Sequence, residues 1–173
     1  MDIPRAFIQD IEALMAYLTE HKLYLTTAES CTAGRITAAL GVVPGSGQVI
    51  ESGHVVYSPQ AKIRLLGVNA RTIDTFTLTS EEVAREMATG ALRNSTANVA
   101  VATTGIAGDQ PMDGIPPGTV CFAWAFDIQG NLHLFSRTQR FFGDREAIIH
   151  YASCFALGQI QHFHRRALHG ESA

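Results

Sequence analysis

The sequence predicts a layered α/β or α+β structure in which a mixed sheet carries helices on its faces. Two observations support this fold class. Short apolar segments are followed directly by helical patterns in the first part of the chain, and two later strand-like segments are joined by a hairpin turn. With 173 residues, 46% hydrophobic and 17% charged, the chain is long enough to bury a core and too apolar for a disordered protein. We expect residues 1–173 to form a single domain.

The elements in the first half follow from the spacing of apolar residues and from the turn residues between them. Apolar side chains recur at three- and four-residue steps in the first segment, which is typical of an amphipathic helix. Pro59 favours the first turn of a helix and Gly67 its end, while Thr79 and Glu82 have the spacing of a capping box. These signals predict helices over residues 4–21, 36–40, 59–66 and 80–94, and strands over residues 23–27 and 53–57.

The second half begins with a compact apolar strand that runs into a loop containing three prolines. Two strand-like segments then flank the turn Gln129-Gly130-Asn131, which is the pattern of an antiparallel hairpin. Asp144 can cap the last helix. These signals predict strands over residues 98–104, 119–127 and 132–140, and one helix from residue 144 to about residue 168.

Charge and composition exclude several classes of partner. The 13 Lys and Arg against 16 Asp and Glu give a formal net charge of -3, whereas nonspecific binding to nucleic acid needs a surplus of basic residues. No apolar run reaches the roughly 20 residues of a membrane span, and the first residues lack the pattern of a secretory signal. Three widely spaced cysteines fit reduced thiols. We therefore expect a cytoplasmic protein with no nucleic-acid and no membrane partner.

The turn after the first predicted strand carries the first candidate site. Ser30 lies where a strand passes into a helix, so its hydroxyl can be presented to solvent. The N–H groups at the start of the helix lack intrahelical partners and can receive a phosphate or a developing oxyanion. Cys31, Thr32 and Gly34 complete this turn, and its small residues let a ligand come close. The alternative is that Ser30 or Thr32 only caps the helix.

A tyrosine and a lysine flank the next junction between a strand and a helix. Tyr57 and Lys62 are five residues apart. A partly desolvated lysine has a lowered pKa and can then accept a proton from a serine. Ser30 and Lys62 are therefore a candidate nucleophile and base. The alternative is a solvated helix lysine and a tyrosine at the edge of the core, because distance along the chain does not show whether the two side chains meet.

Three further segments are candidates for ligand contact. Gly45 and Ser46 can expose N–H groups to an anion, or form an ordinary turn. Thr104 and Gly105 end a predicted central strand, where ligands of α/β sheets gather, although a plain turn is the alternative. Arg145 can hold a phosphate at a helix start, or lie on the surface. The histidines lack metal-ligand spacing, so we expect surface histidines on the last helix, no metal and no cofactor.

The motifs together resemble a known family. Over about residues 4–166, the chain is similar to the CinA C-terminal domain family, the nicotinamide-nucleotide amidases, and its length resembles that of the stand-alone members. The resemblance rests on motifs that occur in one order: Glu29-Ser30-Cys31-Thr32, Pro44-Gly45-Ser46, Tyr57-Ser58 with Ala61-Lys62, Ser80-Glu81-Glu82-Val83, Gly105-Ile106-Ala107-Gly108, Pro117-Gly118-Thr119-Val120 and Gly143-Asp144-Arg145.

This resemblance implies a three-layer α/β/α sandwich and an amidase that converts nicotinamide mononucleotide to nicotinate mononucleotide and ammonia without a metal. It implies that Ser30 is the nucleophile, assisted by Lys62 and Tyr57. The nucleotide substrate would be a small-molecule partner, and homo-oligomerisation is a further expectation, because closed dimers are common. The residues expected at the substrate are Cys31, Thr32, Gly34, Gly45, Ser46, Thr104, Gly105 and Arg145.

Two departures from the family pattern keep other functions open. Ala33 stands where the family usually has a glycine, and the loop over residues 109–118 lacks the usual lysine. Asp109 and Asp113 in that loop would repel a phosphate if the loop borders its site. One alternative is a paralogue that binds a nucleotide or regulates without turnover, and another is an amidase for a different amide. A structural or interaction module predicts instead that Ser30 and Lys62 lie far apart.

Overall fold

The computed structural model describes residues 5–173 of the chain, with side chains from Ile8 onward. Strands and helices alternate through the first part, and a strand pair and two helices follow. In chain order the elements are α1 (Arg5–Glu20), β1 (Leu25–Glu29), α2 (Arg35–Gly41), β2 (Ile50–Val55), α3 (Pro59–Leu66), α4 (Ala70–Phe76), α5 (Glu81–Arg93), β3 (Val99–Gly105), β4 (Thr119–Ile128), β5 (Asn131–Arg140), α6 (Arg145–Gly158) and α7 (Ile160–Leu168).

The strands form one mixed sheet in the order β2-β1-β3-β4-β5. Strand β1 pairs in parallel with both β2 and β3, and β4 and β5 continue the sheet in antiparallel pairing. Glu29, the last residue of β1, lies beside Val55 of β2 and Thr103 of β3. The carboxyl ends of these three parallel strands therefore meet at one edge of the sheet, and the turns that follow them are brought together there.

The two faces of the sheet carry side chains of different size. Large residues such as Phe122 and Trp124 point into a core shared with α1, α2, α6 and α7. Small residues such as Ala102 and Ala123 face α3 and α5 on the opposite side. The alternation follows from the period of two along a strand. Helices thus cover both faces, which confirms the expected three-layer α/β/α sandwich with a mixed sheet. No helix in residues 5–173 is long and apolar enough to cross a membrane.

Several element predictions need correction. The strand predicted over residues 53–57 begins at Ile50, and helix α4 was not predicted at all. Residue 4, the start of the first predicted helix, lies outside the described residues. The cap of α5 is Ser80, whose hydroxyl accepts the N–H of Val83 at 3.3 Å, and the prediction of Thr79 was wrong. A strand-like conformation at Ser80 makes it the residue that precedes the first helical turn.

The last predicted helix is two helices, α6 and α7, with a break at Gln159. The indole N–H of Trp124 donates to the carbonyl of Ala156 at 2.8 Å, and a continuous helix would use that carbonyl to bind the N–H of Ile160. The prediction of surface histidines on this segment was also wrong for His164, which is buried and bonded to the Tyr17 hydroxyl at 2.8 Å. Burial lowers the pKa of His164.

Candidate active site

The turn over residues 30–34 connects β1 to α2 at the carboxyl edge of the parallel strands. The N–H of Ser30 donates to Thr103 O at 3.0 Å, which fixes the start of the turn against β3. Ala33 and Gly34 then adopt left-handed backbone angles, with φ of 52° and 91°. Two such residues in succession turn the chain sharply into α2 and leave the Ser30 side chain at the sheet edge.

Lys62 reaches this serine from α3. Ser58 caps α3 and Pro59 occupies its first turn, so the helix begins close to the end of β2. The Lys62 side chain is 1% exposed, and its Nζ lies 2.9 Å from Ser30 Oγ. The same nitrogen donates to Val56 O at 2.9 Å and to Tyr57 O at 3.2 Å. Ser30 and Lys62 are 32 positions apart in the sequence, and the parallel pairing of β1 and β2 brings them together.

The surroundings of Lys62 make its neutral amine form easier to reach than that of a solvated lysine. Burial lowers its pKa from 10.5 to about 8, although the neighbouring Cys31 raises it in part. A neutral amine has two N–H donors and one lone pair. The carbonyls of Val56 and Tyr57 take the two donors, so the lone pair is left to face Ser30 Oγ. This arrangement lets the Ser30 hydroxyl donate to Lys62, which is the geometry a general base requires.

Cys31 is the other possible nucleophile in the turn, and its chemistry differs from that of Ser30. Its thiol is 5% exposed, and burial raises its pKa from 9.0 to about 12. Because the thiolate is the reactive form, a thiol with so high a pKa is a weak nucleophile near neutral pH. Of the two side chains, Ser30 is therefore the better candidate for a nucleophile.

Ser30 and Lys62 open into a cleft of about 280 Å³. This volume lies near the lower end of the roughly 300–1,000 Å³ of small-molecule sites. Larger clefts of about 460 and 350 Å³ lie elsewhere on the surface and contain neither side chain. The cleft at Ser30 is lined by Ser30, Cys31, Tyr57, Lys62, Leu78, Thr79, Thr104, Gly105, Ile106, Ala107, Gly108, Asp109, Gln110, Met112 and Arg145.

The floor of the cleft is built from the end of β3. Thr104 is buried, and its hydroxyl donates to Leu78 O at 2.7 Å, which ties the loop before α5 to the sheet. A side chain at Gly105 would place its Cβ only 2.5 Å from Thr119 O. The close approach of β4 therefore requires glycine at this position. As a result, the cleft is lined there by backbone and not by a side chain.

The mouth of the cleft carries one cation and one anion. The Arg145 guanidinium donates to the Tyr57 hydroxyl at 2.7 Å, and the Tyr57 side chain is 55% exposed. Asp109 also lines the cleft, whereas Asp113 does not. The Tyr57 phenol accepts a hydrogen bond from Arg145, whereas the hydrogen bond between Tyr57 and Lys62 uses the backbone carbonyl of Tyr57.

Four of the predicted site residues lie outside the cleft. Thr32 is buried beneath it, and Gly34 is the N-cap of α2. Gly45 and Ser46 precede β2, next to the start of β1, so they lie at the opposite edge of the sheet from Ser30. A full strand length separates the two edges, so within one chain Gly45 and Ser46 do not line the cleft at Ser30.

Sequence reasoning missed two groups of residues at this site. Leu78 and Thr79 line the cleft from the loop before α5, and no motif signals a loop of this kind. Glu29 is buried beneath the turn, where its carboxylate accepts several hydrogen bonds. A carboxylate at the end of an otherwise uncharged strand was the signal that could have indicated this buried residue. In residues 5–173, no group of three His, Cys, Asp or Glu side chains is arranged to hold a metal ion.

Comparison with known proteins assigns the family. The model of the CinA C-terminal domain matches residues 9–164. Protein YdeJ of Escherichia coli strain K12 is 38% identical over 149 residues, which cover 86% of this chain and 84% of YdeJ. A CinA-like protein of Chlorobaculum tepidum is 49% identical over 113 residues, and there the match covers 64% of this chain and only 26% of the longer relative.

Solved structures agree with this assignment. The crystal structure of the competence/damage inducible protein CihA from Agrobacterium tumefaciens superposes with a TM-score of 0.85 at 34% identity. The match covers 95% of this chain and 99% of that protein. The close superposition and the family match over nearly the whole chain lead to one conclusion. The chain belongs to the CinA C-terminal domain family.

Proposed function

We propose that this protein is an amidase that hydrolyses the carboxamide of nicotinamide mononucleotide to nicotinate mononucleotide and ammonia. The observation that carries the proposal is the 2.9 Å contact between Lys62 Nζ and Ser30 Oγ inside the cleft. An amide is a poor electrophile, so a serine needs a base to attack it and donors to stabilise the oxyanion. Family membership supports the substrate class, since the resemblance that identified the family implies this reaction.

The proposed reaction has two halves. Ser30 Oγ attacks the carboxamide carbon while its proton passes to Lys62, and the resulting oxyanion is received by backbone N–H groups near Cys31 and Ala107. The C–N bond then breaks, and the nitrogen leaves as ammonia with the proton from Lys62. Water attacks the acyl-serine ester, again giving its proton to Lys62. Release of the carboxylate restores Ser30, so one water is consumed for each amide cleaved.

The cleft fits a small ring better than a whole nucleotide. Its volume of about 280 Å³ suits the pyridine carboxamide beside Ser30, with the ribose phosphate directed to the open mouth. Arg145 lies at that mouth, and a guanidinium is a suitable partner for a phosphate. Only one of the two loop carboxylates, Asp109, lines the cleft, so repulsion of the phosphate is smaller than two charges would produce.

The test is release of ammonia from nicotinamide mononucleotide and from a panel of other amide nucleotides. We expect the wild type to release ammonia, and Ser30→Ala to lose activity by at least about a thousandfold, because removal of a nucleophile leaves only the binding contribution. Ser95→Ala, a serine at the end of α5 outside the cleft, is the control and should keep wild-type activity. Mass spectrometry of a quenched reaction should find the acyl group on Ser30.

Asp109 and the missing lysine favour a second candidate, a protein that binds the nucleotide without turning it over. It predicts saturable binding of nicotinamide mononucleotide by calorimetry with no ammonia released from any amide of the panel. Full activity of Ser30→Ala would reject the covalent route, and turnover of another amide alone would replace the substrate while keeping the reaction.

A further inference from the structure

A buried carboxylate lies directly beneath the turn that carries Ser30. Glu29 is 0% exposed. Among the side chains described from Ile8 onward, no lysine, arginine or histidine forms an ion pair with it. A buried charge without a cation is costly unless hydrogen bonds replace its hydration. The proposed reaction does not use this side chain, so its burial needs another explanation.

Donors surround both oxygens of the Glu29 carboxylate. Oε1 accepts the N–H and the hydroxyl of Thr37, each at 2.9 Å, and a longer bond from Thr27 at 3.3 Å. Oε2 accepts the N–H of Ile36 at 3.0 Å and the hydroxyl of Thr32 at 2.8 Å. Two of these donors are backbone N–H groups in the first turn of α2, which Gly34, as the N-cap, cannot satisfy with a side chain.

These bonds tie the turn to three elements at once. Glu29 ends β1, Ile36 and Thr37 begin α2, and the Thr32 hydroxyl lies 2.8 Å from the hydroxyl of Thr103 on β3. The turn between them includes Ala33 in a left-handed conformation, which is unfavourable for a residue with a Cβ. Such a turn keeps its shape only when the surroundings hold it.

We propose that Glu29 is a positioning residue that holds Ser30 and the N–H groups of the following turn in the geometry of the proposed amidase. This inference rests on the proposed function. Glu29 does not touch the cleft, so it acts through Thr32 and the start of α2. Its loss displaces the nucleophile and the oxyanion donors while the substrate's other contacts remain.

Glu29→Gln is a sharp test because of how the carboxylate is used. Each oxygen accepts one backbone N–H, from Thr37 at Oε1 and from Ile36 at Oε2. An amide in either orientation therefore turns its NH₂ group toward an N–H donor, and one hydrogen bond becomes a clash of hydrogens. The side-chain volume hardly changes, so the substitution alters the hydrogen bonding and little else.

The experiment compares wild type, Glu29→Gln and a control, Glu86→Gln. Glu86 also accepts a backbone N–H and a hydroxyl, from Asn69 and Thr72, both at 2.6 Å, but it lies between α4 and α5 outside the cleft. We expect Glu29→Gln to lower kcat by about tenfold to a hundredfold per folded molecule with KM within about twofold, since small misplacement of reacting groups costs this much. Glu86→Gln should keep the wild-type kcat.

A second readout does not depend on the natural substrate. A fluorophosphonate reagent reacts with an activated serine: the Ser30 Oγ–P bond forms, the P–F bond breaks, fluoride leaves and the serine proton passes to Lys62. We expect mass spectrometry to show labelling of Ser30 that is slowed in Glu29→Gln by a factor similar to that for kcat. The pH at which the labelling rate rises should stay that of the wild type, because Lys62 keeps its surroundings.

The two readouts separate the inference from the proposed function. If the wild type is labelled but releases no ammonia, only the proposed substrate is rejected. The ratio of the labelling rates of wild type and Glu29→Gln then decides the role of Glu29. Equal rates for wild type and folded Glu29→Gln overturn the inference, and so does a wild type that is not labelled at all. If Glu29→Gln does not fold, Thr32→Val replaces it: a slow Thr32→Val with recovery in Thr32→Ser supports the inference, and a wild-type rate in Thr32→Val overturns it.

Discussion

Tyr57 contributes two chemically different atoms to the site. Its phenol oxygen accepts a hydrogen bond from Arg145, and its backbone carbonyl accepts one from Lys62. Tyr57→Phe removes only the first. Loss of one partly exposed hydrogen bond costs about 0.5–1.5 kcal/mol, so we expect KM for the amide nucleotide to rise by about twofold to tenfold with kcat nearly constant. Steady-state kinetics, with the exposed Tyr151→Phe on α6 as the control, measures this.

The opposite outcome would change the mechanism at this residue. A fall of kcat beyond about a hundredfold in Tyr57→Phe, with KM unchanged, would mean that the phenol moves toward the leaving nitrogen and donates its proton there. The resemblance to the family implied such an assisting role, whereas the present geometry directs the phenol to Arg145.

The contacts of some single residues could be predicted from the sequence, whereas those of others could not. The pairing of Ser30 with Lys62 could be suspected from two successive junctions between a strand and a helix, but parallel pairing of β1 and β2 was needed to bring them together. The burial of His164 could have been predicted, because this residue lies on the same face of α7 as the apolar residues Ile160, Phe163 and Ala167. The role of Glu29 could not be predicted, because no sequence pattern specifies the turn that brings Thr32 and the start of α2 to its carboxylate.

At the scale of elements, the turn between β1 and α2 combines a strained residue with a permissive one. Ala33 has φ of 52° and carries a Cβ, whereas Gly34 has φ of 91° and would place a Cβ 3.4 Å from Val55. We expect Ala33→Gly to change the free energy of unfolding by less than about 1 kcal/mol, since relief of strain offsets the greater freedom of glycine in the unfolded chain. Gly34→Ala should destabilise by about 1–2 kcal/mol.

Urea denaturation of both variants measures these changes, and Gly45→Ala is the control. Gly45 also has a left-handed φ, of 87°, but a Cβ there meets no atom within 4 Å. Its loss of stability therefore reports the backbone cost alone. A Gly34→Ala variant as stable as wild type would show that the turn relaxes without cost, which would also weaken the case for a held nucleophile.

The elements that sequence reasoning missed share a physical cause. Helix α4 is rich in β-branched and polar residues, which have low helix propensity, and it is held by a cap at Asn69 and by Glu86 of α5. The break between α6 and α7 depends on Trp124 of β4 taking a helix carbonyl. Both features depend on partners distant in sequence, whereas helix α3, with Pro59 at its start, was predicted from local signals.

At the scale of the whole molecule, the mixed sheet and its covering helices were predictable, and the strand order was not. Alternating large and small residues require helices on both faces, and the hairpin requires antiparallel strands. Nothing local specifies that β1 lies between β2 and β3. That order brings the turn after β1 to the middle of the parallel strands, so the site has walls on both sides, from α3 and from the end of β3.

Burial of Lys62 also makes the stability of the whole fold depend on pH. Its pKa is lowered from 10.5 to about 8 in the folded protein by burial, so the unfolded chain binds more protons between these two values. The free energy of unfolding therefore rises with pH across this interval, because the cost of a buried ammonium disappears. Lys62→Met lacks this contribution. From about pH 7 to about pH 10, we expect the wild type to gain about 2–3 kcal/mol relative to Lys62→Met.

Urea denaturation of both proteins at several pH values measures this difference in the free energy of unfolding, which should increase in favour of the wild type as the pH rises. The buried thiols of Cys31 and Cys121 have raised pKa values, of about 12 and about 11, and these lower stability as the pH rises above 9. Both proteins carry the thiols, so the comparison removes most of their effect. A difference that stays flat across the interval would mean that Lys62 keeps its ordinary pKa. Lys62 would then stay charged until the pH approaches 10.5, and the base proposed for Ser30 would be largely unavailable below that pH.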